Sequence, residues 1–257
     1  MDMKLKDYVT LGGLGCGLAS VVALLHDRFD LASYLILLAY VFDFLDGAVA
    51  RLTRQFNKFG SELDNLCDMV SCSIAPGFLV FYAFYHIADY PLWAAGAIMF
   101  LPVATGTVRA ARFNVQRAES PGFFIGMPRT VFALAMVALL NSALFKSLGP
   151  LMSGYMYLVP LMIIVAISMQ MISLRPYVSH HDRKFKGWLR LGVWFWLLSI
   201  PISFILGFAI GYRTLIFDVV LFDMVVYVFL APLVTPKEEV KAHWEYISQW
   251  KKMASQS

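Results

Sequence analysis

The sequence predicts an all-α membrane protein, a polytopic bundle of about eight transmembrane helices with both termini in the cytoplasm. Of its 257 residues, 60% are apolar and only 15% are charged, whereas soluble proteins average about 25% charged residues. Apolar runs of about 20 residues, long enough to cross a bilayer as helices, recur along the chain. The Lys and Arg residues are also distributed unevenly between the loops, as expected for a multi-pass protein.

Eight apolar segments are candidate membrane spans. They cover residues 8–26, 31–51, 60–86, 91–112, 127–146, 150–173, 188–208 and 212–233. With the N-terminus inside, every Lys and Arg except Arg28, Lys146 and Arg213 lies on the cytoplasmic side. This bias predicts a multi-pass protein of the cytoplasmic, or inner, membrane. It also accounts for the net charge of +4, so we expect no nucleic-acid partner.

Residues 1–236 are predicted to form a single transmembrane domain, because no repeat or low-complexity linker divides them. The tail, residues 237–257, has a different character. Val240, Trp244 and Ile247 recur there at helical spacing among Lys and Glu residues, a pattern typical of a helix that lies on a membrane surface. We therefore expect a cytoplasmic, amphipathic tail.

The second and third spans carry four aspartates, Asp43, Asp46, Asp64 and Asp68. Each uncompensated carboxylate in hydrocarbon costs about 2.5 to 3.5 kcal/mol, so something must neutralise them. Asp43 and Asp46 share one stripe of their helix, and Asp64 and Asp68 are one turn apart on the next. If the two helices form an antiparallel hairpin, all four carboxylates converge just below the cytoplasmic surface.

A cluster of carboxylates without His or Cys is typical of a site for hard divalent cations, Mg²⁺ or Mn²⁺. Gly47 and Gly60 leave room near the backbone for a bulky ligand, and Arg51 offers a planar cation for phosphate. These residues predict metal-assisted phosphoryl transfer, in which one carboxylate takes a proton from the nucleophile. A cation transporter is the alternative from another class, and the clustering of the aspartates near one face argues against it.

The spacing of these residues resembles the signature of the CDP-alcohol phosphatidyltransferase family. That signature reads Asp, two residues, Asp-Gly, two residues, Ala-Arg, eight residues, Gly, three residues, Asp, three residues, Asp. This sequence matches it at every interval with Asp43, Asp46, Gly47, Ala50, Arg51, Gly60, Asp64 and Asp68. The resemblance implies transfer of a phosphatidyl group from CDP-diacylglycerol to an alcohol, with release of CMP. It also implies that the enzyme is a homodimer, as is common in the family, and that it contacts membrane lipids.

The resemblance also implies a role for each residue of the signature. Asp43, Asp46 and Asp64 would hold the cations, whereas Asp68 would be both a shared metal ligand and the general base for the incoming hydroxyl. The remaining members of the signature would face the nucleotide, namely Gly47, Ala50, Arg51 and Gly60.

Several stretches outside the signature are similar to the phosphatidylserine synthases of this family, including the string Ala111-Arg112-Phe113-Asn114 and the residues before the fifth span. They favour L-serine as the acceptor and predict an acceptor site at Arg109, Arg112 and Asn114, where the fourth span reaches the cytoplasm. Inositol phosphate or glycerol phosphate as acceptor, or an archaeal ether-lipid donor, are alternatives within the same chemistry. Arg129 departs from the resemblance, because a small residue is expected after Pro128.

Overall fold

The computed structural model describes residues 3–53, 58–116, 123–148, 158–178, 188–230 and 237–254, and over these residues the chain is mostly helical. The helices are α1 (Leu5–Leu25), α2 (Phe29–Thr53), α3 (Lys58–Met69), α4 (Ala75–Tyr82), α5 (Leu92–Gln116), α6 (Arg129–Asn141), α7 (Ala143–Leu148), α8 (Leu158–Ile172), α9 (Trp188–Ala209), α10 (Leu215–Val225) and α11 (Lys237–Ala254). Two short strands, β1 (Phe123–Ile125) and β2 (Pro176–Val178), were not predicted.

Three helical segments of the described chain are long and apolar enough to cross a membrane. They are Leu5–Leu25, Lys58–Ile87 and Leu92–Asn114. Shorter apolar helices cover Arg129–Asn141, Leu158–Ile172 and Leu198–Ala209. The described chain therefore contains three candidate membrane-spanning helices, while the count of eight spans and the cytoplasmic position of both termini stay predictions. Parts of the sixth and eighth predicted spans, residues 150–157 and 231–233, and the end of the tail, residues 255–257, lie outside the described residues.

Helix α6 occupies the centre of the bundle. Its residues 131–141 are all buried, in keeping with a helix that is apolar on every side. It packs against α2, α4, α8 and α10. The side-chain nitrogen of Asn141 at its end is satisfied inside the bundle, because Nδ2 donates to Ser33 Oγ at 2.8 Å and to the Val137 carbonyl oxygen at 2.9 Å, whereas Oδ1 has no partner within the described residues. This central helix begins at Arg129, next to the aspartates.

Glycines on α1 allow close helix packing on the side of the site. A Cβ atom at Gly13 would lie 3.3 Å from Phe42 Cβ on α2, and one at Gly17 would lie 2.9 Å from Ser71 Cα. Bare glycine surfaces let membrane helices approach this closely. The N-terminal half of α1 is thereby held against both helices that carry the aspartates.

The third predicted span is one continuous helical segment with a widened turn in it. A π-helical turn covers Val70–Ile74, directly after Asp68 and Met69 and directly before α4. Pro76 accounts for this turn, because proline lacks an N–H and its ring crowds the preceding turn. Two further π-helical turns cover Ala83–Ile87 and Val226–Leu230.

The two strands form an antiparallel ribbon that joins the chain before α6 to the chain after α8. Phe124 pairs with Tyr177 at its centre. Helix α11 docks on this region through His243, which is 1% exposed, contacts the Phe123 ring and lies with Nε2 3.1 Å from the Leu174 carbonyl oxygen. Burial lowers the pKa of His243. The tail is therefore helical, and Trp244, 46% exposed, is available for the predicted membrane surface.

Candidate active site

Three of the four predicted carboxylates lie together. One side-chain oxygen each from Asp43, Asp64 and Asp68 can be chosen so that all three atoms lie within 4.8 Å of one another. The first comes from α2 and the other two from successive turns of α3, as their spacing predicted. Three oxygen donors at this separation fit a hard divalent cation such as Mg²⁺ or Mn²⁺. The donor set therefore suits the predicted metal chemistry, although it does not identify the metal.

Asp46 lies beside these three carboxylates and accepts a hydrogen bond from a residue of α1. It is 8% exposed, and its Oδ2 accepts a hydrogen bond of 2.6 Å from Thr10 Oγ1. The Thr10 oxygen also lies 3.1 Å from the Lys6 carbonyl oxygen. The structure thus brings three of the four carboxylates together and gives the fourth a partner on another helix, so the role of Asp46 as a metal ligand stays a prediction.

The predicted nucleotide-facing residues line the same helices. The Arg51 guanidinium folds back over Gly47, because a Cβ atom there would lie 3.4 Å from Arg51 Nη1. Ala50 is buried and Arg51 is exposed. Gly60, at the start of α3, is buried. This arrangement leaves a cation at the exposed end of the site, and contact with a nucleotide stays a prediction for all four residues.

The N-terminus of α1 closes the site beside Gly60. A Cβ atom at Gly60 would lie 2.5 Å from Asp7 Oδ1 and would also contact the Lys6 ammonium. Asp7 is fully buried, and its Oδ2 accepts a hydrogen bond of 2.8 Å from the Lys4 backbone N–H.

Replacement of Gly60 by alanine should therefore disturb the site. Overpacking of this kind costs about 1 to 3 kcal/mol, and we expect CMP to bind about tenfold more weakly to Gly60→Ala, because the buried side chains of Lys6 and Asp7 must shift. Titration calorimetry with CMP and Mn²⁺ measures this change. Gly15→Ala is the matched control, since a Cβ atom there meets nothing within 4 Å. Equal CMP affinity in both variants would contradict the expected clash.

Arg112, a predicted acceptor contact, is surrounded by backbone carbonyl groups. Its Nη1 donates to Ile172 O at 3.0 Å and to Ser173 O at 3.4 Å. Its Nη2 donates to Ile125 O at 2.9 Å and to Met171 O at 3.3 Å. The guanidinium therefore ties α5 to the end of α8 and to β1. Sequence reasoning could not supply this role, which depends on carbonyl groups about 60 residues away.

Arg109 lies one turn earlier on α5 and has a different environment. Its Nε is buried and has no hydrogen-bond partner within the described residues. Its charge acts on Asp68 and on Tyr227. A buried guanidinium that is not consumed by the protein is suited to an anionic ligand. Of the two predicted acceptor arginines, Arg109 is therefore the one with unused donor capacity.

Asn114 and Arg129 belong to one polar network with Asp68. Asn65 Nδ2 donates to Asn114 Oδ1, and Arg129 Nη2 donates to Asn65 Oδ1. Arg129 Nη2 also lies 3.4 Å from Asp68 Oδ2. Asn65 and Arg129 were missed as site residues. The only signal for Arg129 was its departure from the expected small residue after Pro128.

Comparison with known proteins supports the resemblance in the sequence. The profile of the family described as CDP-alcohol phosphatidyltransferase matches residues 3–165. A CDP-diacylglycerol-serine O-phosphatidyltransferase of Methanocaldococcus jannaschii is 36% identical over 155 residues, which are 59% of this chain and 69% of that protein. Proteins of the same name from Helicobacter pylori J99 and Bacillus subtilis 168 are 35% and 32% identical, over 50% and 51% of this chain and 53% and 72% of their own lengths.

The matched region contains every residue of the aspartate cluster and both helices that carry it. More than half of the chain lies within the family profile. The chain therefore belongs to the CDP-alcohol phosphatidyltransferase family, whose members are transferases.

Proposed function

We propose that the protein transfers the phosphatidyl group of CDP-diacylglycerol to the hydroxyl group of L-serine, giving phosphatidylserine and CMP. The observation that carries this proposal is the cluster of Asp43, Asp64 and Asp68, with Arg109 close enough for its charge to act on Asp68 and with its buried Nε lacking a hydrogen-bond partner within the described residues. The relatives named as serine phosphatidyltransferases support the choice of donor and acceptor. The proposal includes a site that opens to the cytoplasm, in a homodimer of the inner membrane.

The four aspartates have different roles in the reaction. Asp43 and Asp64, with Asp46 and one oxygen of Asp68, would hold divalent cations, which when bound neutralise the diphosphate and polarise the phosphorus centre. Asp68 accepts the proton of the serine hydroxyl. The serine oxygen then forms a bond to the lipid-bearing phosphorus, while the bond from that phosphorus to the bridging oxygen breaks. CMP leaves with the electron pair of that bond, and the additional negative charge on the phosphate groups of the products is balanced by the proton that Asp68 has accepted.

The arginines favour an acceptor with one carboxylate. Arg112 is consumed by carbonyl groups, and Arg129 is engaged with Asn65 and Asp68. Arg109 therefore remains to bind an anionic group of the acceptor. A carboxylate can be bound by one guanidinium, whereas the second charge of a phosphate, as in inositol phosphate or glycerol phosphate, would call for a further cation beside Arg109.

The direct test is incorporation of labelled serine into lipid. Purified protein would be incubated with CDP-diacylglycerol, Mn²⁺ and radiolabelled L-serine, and the chloroform-soluble products would be separated. We expect label in phosphatidylserine, with none when CDP-diacylglycerol is left out. CMP release without any labelled lipid would show that serine is not the acceptor.

Replacement of Arg109 should impair serine binding selectively. A hydrogen bond between charged groups contributes about 1.5 to 3 kcal/mol, so the KM for serine should rise by about 10- to 100-fold in Arg109→Gln. The KM for CDP-diacylglycerol should change little. Arg109→Lys keeps the positive charge without the planar fork, so its KM for serine should lie between those of wild type and Arg109→Gln. An unchanged KM for serine in Arg109→Gln would remove this residue from the acceptor site.

A further inference from the structure

Arg129 has no role in the chemistry described so far, yet it contacts the predicted base. It is the first residue of α6 and is 8% exposed, at a position where only the path of the central helix brings it to α3. Burying a guanidinium is costly unless its charge and its donors are used. The contacts of Arg129 use both Nη atoms, whereas its buried Nε has no hydrogen-bond partner within the described residues.

The guanidinium is fixed in place by one residue, Asn65. Arg129 Nη1 donates to the Asn65 backbone oxygen at 3.1 Å, and Nη2 donates to the Asn65 side-chain oxygen at 2.5 Å. The amide of Asn65 is itself oriented, because its Nδ2 donates to Asn114 on α5. A planar fork with two anchors on the same residue has little rotational freedom.

The Arg129 guanidinium, held in this orientation, also contacts Asp68. The distance from Arg129 Nη2 to Asp68 Oδ2 is 3.4 Å. Within the described residues, the other side chain that hydrogen-bonds Asp68 is Cys72, whose Sγ lies 3.9 Å from Oδ1. A thiol is a weak donor. Arg129 is therefore the strong donor that defines which oxygen of Asp68 is occupied.

We propose that Arg129 is a positioning residue of the phosphatidyl transfer. It engages Asp68 through Oδ2, so that Oδ1 is turned toward the hydroxyl group of the acceptor and takes its proton. Asn65 and Asn114 hold Arg129 in this orientation. The inference deepens the proposed function and rests on it only in the role of Asp68 as base, because it applies to whichever alcohol the enzyme accepts.

The test compares Arg129→Gln, Arg129→Lys and Asn65→Ala in a CMP-release assay with the acceptor that wild-type protein uses. We expect kcat to fall by about 10- to 100-fold in Arg129→Gln. The KM for the acceptor and the calorimetric Kd for CMP should stay within about threefold of wild type, because the proposal assigns Arg129 a contact with Asp68 and none with either ligand. Arg129→Lys should recover at least about threefold of the lost kcat, since it keeps the charge but lacks the fork.

Asn65→Ala separates positioning from folding, because it removes the side-chain anchor and leaves both the arginine and its contact with the backbone oxygen of residue 65. It should lower kcat, and the double variant Asn65→Ala/Arg129→Gln should be no slower than Arg129→Gln alone. Arg213→Gln, on an exposed arginine beside the Phe208 ring, is the control and should keep wild-type kcat.

Three results would overturn the proposal. A kcat within twofold of wild type in Arg129→Gln would show that Asp68 needs no such support. A rise confined to the KM of the acceptor would make Arg129 a substrate contact instead. If the loss of kcat in the double variant equals the product of the losses in the two single variants, Asn65 and Arg129 act independently. Failure of serine as the acceptor would leave this test intact, because it uses any alcohol that supports CMP release.

Discussion

Asp68→Asn should lower turnover by about 10²- to 10⁴-fold, the range in which positioned general bases contribute. A serine hydroxyl is a weak nucleophile at neutral pH, and the asparagine amide cannot accept its proton. The amide oxygen can still accept the hydrogen bond from Arg129, which lies 3.4 Å from Asp68 Oδ2. CMP affinity in the presence of Mn²⁺ should change by only a few fold, because the three principal metal ligands assigned above, Asp43, Asp46 and Asp64, remain. The measurements are the kcat of CMP release and calorimetric CMP binding.

Asp223→Asn provides the matched control for this prediction. Asp223 is also a buried aspartate in an apolar helix, where it accepts a hydrogen bond of 2.7 Å from Ser199, and it does not belong to the carboxylate cluster. Its replacement should leave kcat within about twofold of wild type. Turnover close to wild type in Asp68→Asn would remove Asp68 as the base, while an equal loss in both variants would indicate damage to the bundle.

Asp64→Asn should weaken metal binding and abolish detectable turnover. The substitution removes one of three carboxylates whose oxygens lie within 4.8 Å of one another, and hard cations depend on charged oxygen ligands. We expect Mn²⁺ affinity to fall by at least about tenfold, since even residues that only support a metal ligand contribute about 10- to 100-fold. Titration of the free Mn²⁺ signal by electron paramagnetic resonance, in the presence of CMP, measures this loss without requiring activity.

Removal of metal from the wild-type protein with EDTA should abolish detectable turnover, and excess Mn²⁺ should restore it. The control is Asp30→Asn, because Asp30 is exposed and pairs with Lys146 at 3.2 Å, away from the cluster. Its Mn²⁺ titration should match that of wild type. An unchanged Mn²⁺ midpoint in Asp64→Asn would contradict the assignment of this carboxylate as a ligand.

The aspartate cluster could be predicted because it depends on local geometry. Helical spacing places Asp64 and Asp68 on successive turns, and the short connection between α2 and α3 returns the chain toward Asp43. The partner of Asp46 could not be predicted in this way. Thr10 is 36 residues distant in sequence and reaches Asp46 only because α1 packs against α2.

The contacts of the arginines on the acceptor side of the site could not be predicted from the sequence. The pattern placed Arg109 and Arg112 at the cytoplasmic end of one helix, but it could not tell which guanidinium the protein itself consumes. Arg112 meets carbonyl groups about 60 residues later in the chain, and Arg129 meets Asn65 across 64 residues. Such contacts depend on how helices pack in three dimensions, which hydropathy and spacing do not specify.

Short features also escaped prediction. Each strand of the ribbon has three residues, too few for an alternating pattern to be recognised. A proline such as Pro76 disturbs a helix without specifying the form of the disturbance, which is here a π-helical turn at Val70–Ile74. Both features lie next to the site, since the turn follows Asp68 and the ribbon leads into Arg129.

The central claim is tested most directly by CMP release from CDP-diacylglycerol, measured with purified protein and Mn²⁺ in the presence of serine, inositol phosphate, glycerol phosphate or no acceptor. The account predicts release that serine alone stimulates. Release stimulated by inositol phosphate or glycerol phosphate would contradict serine as the acceptor while keeping the aspartate chemistry. The absence of release with all of them would contradict phosphatidyl transfer from this donor.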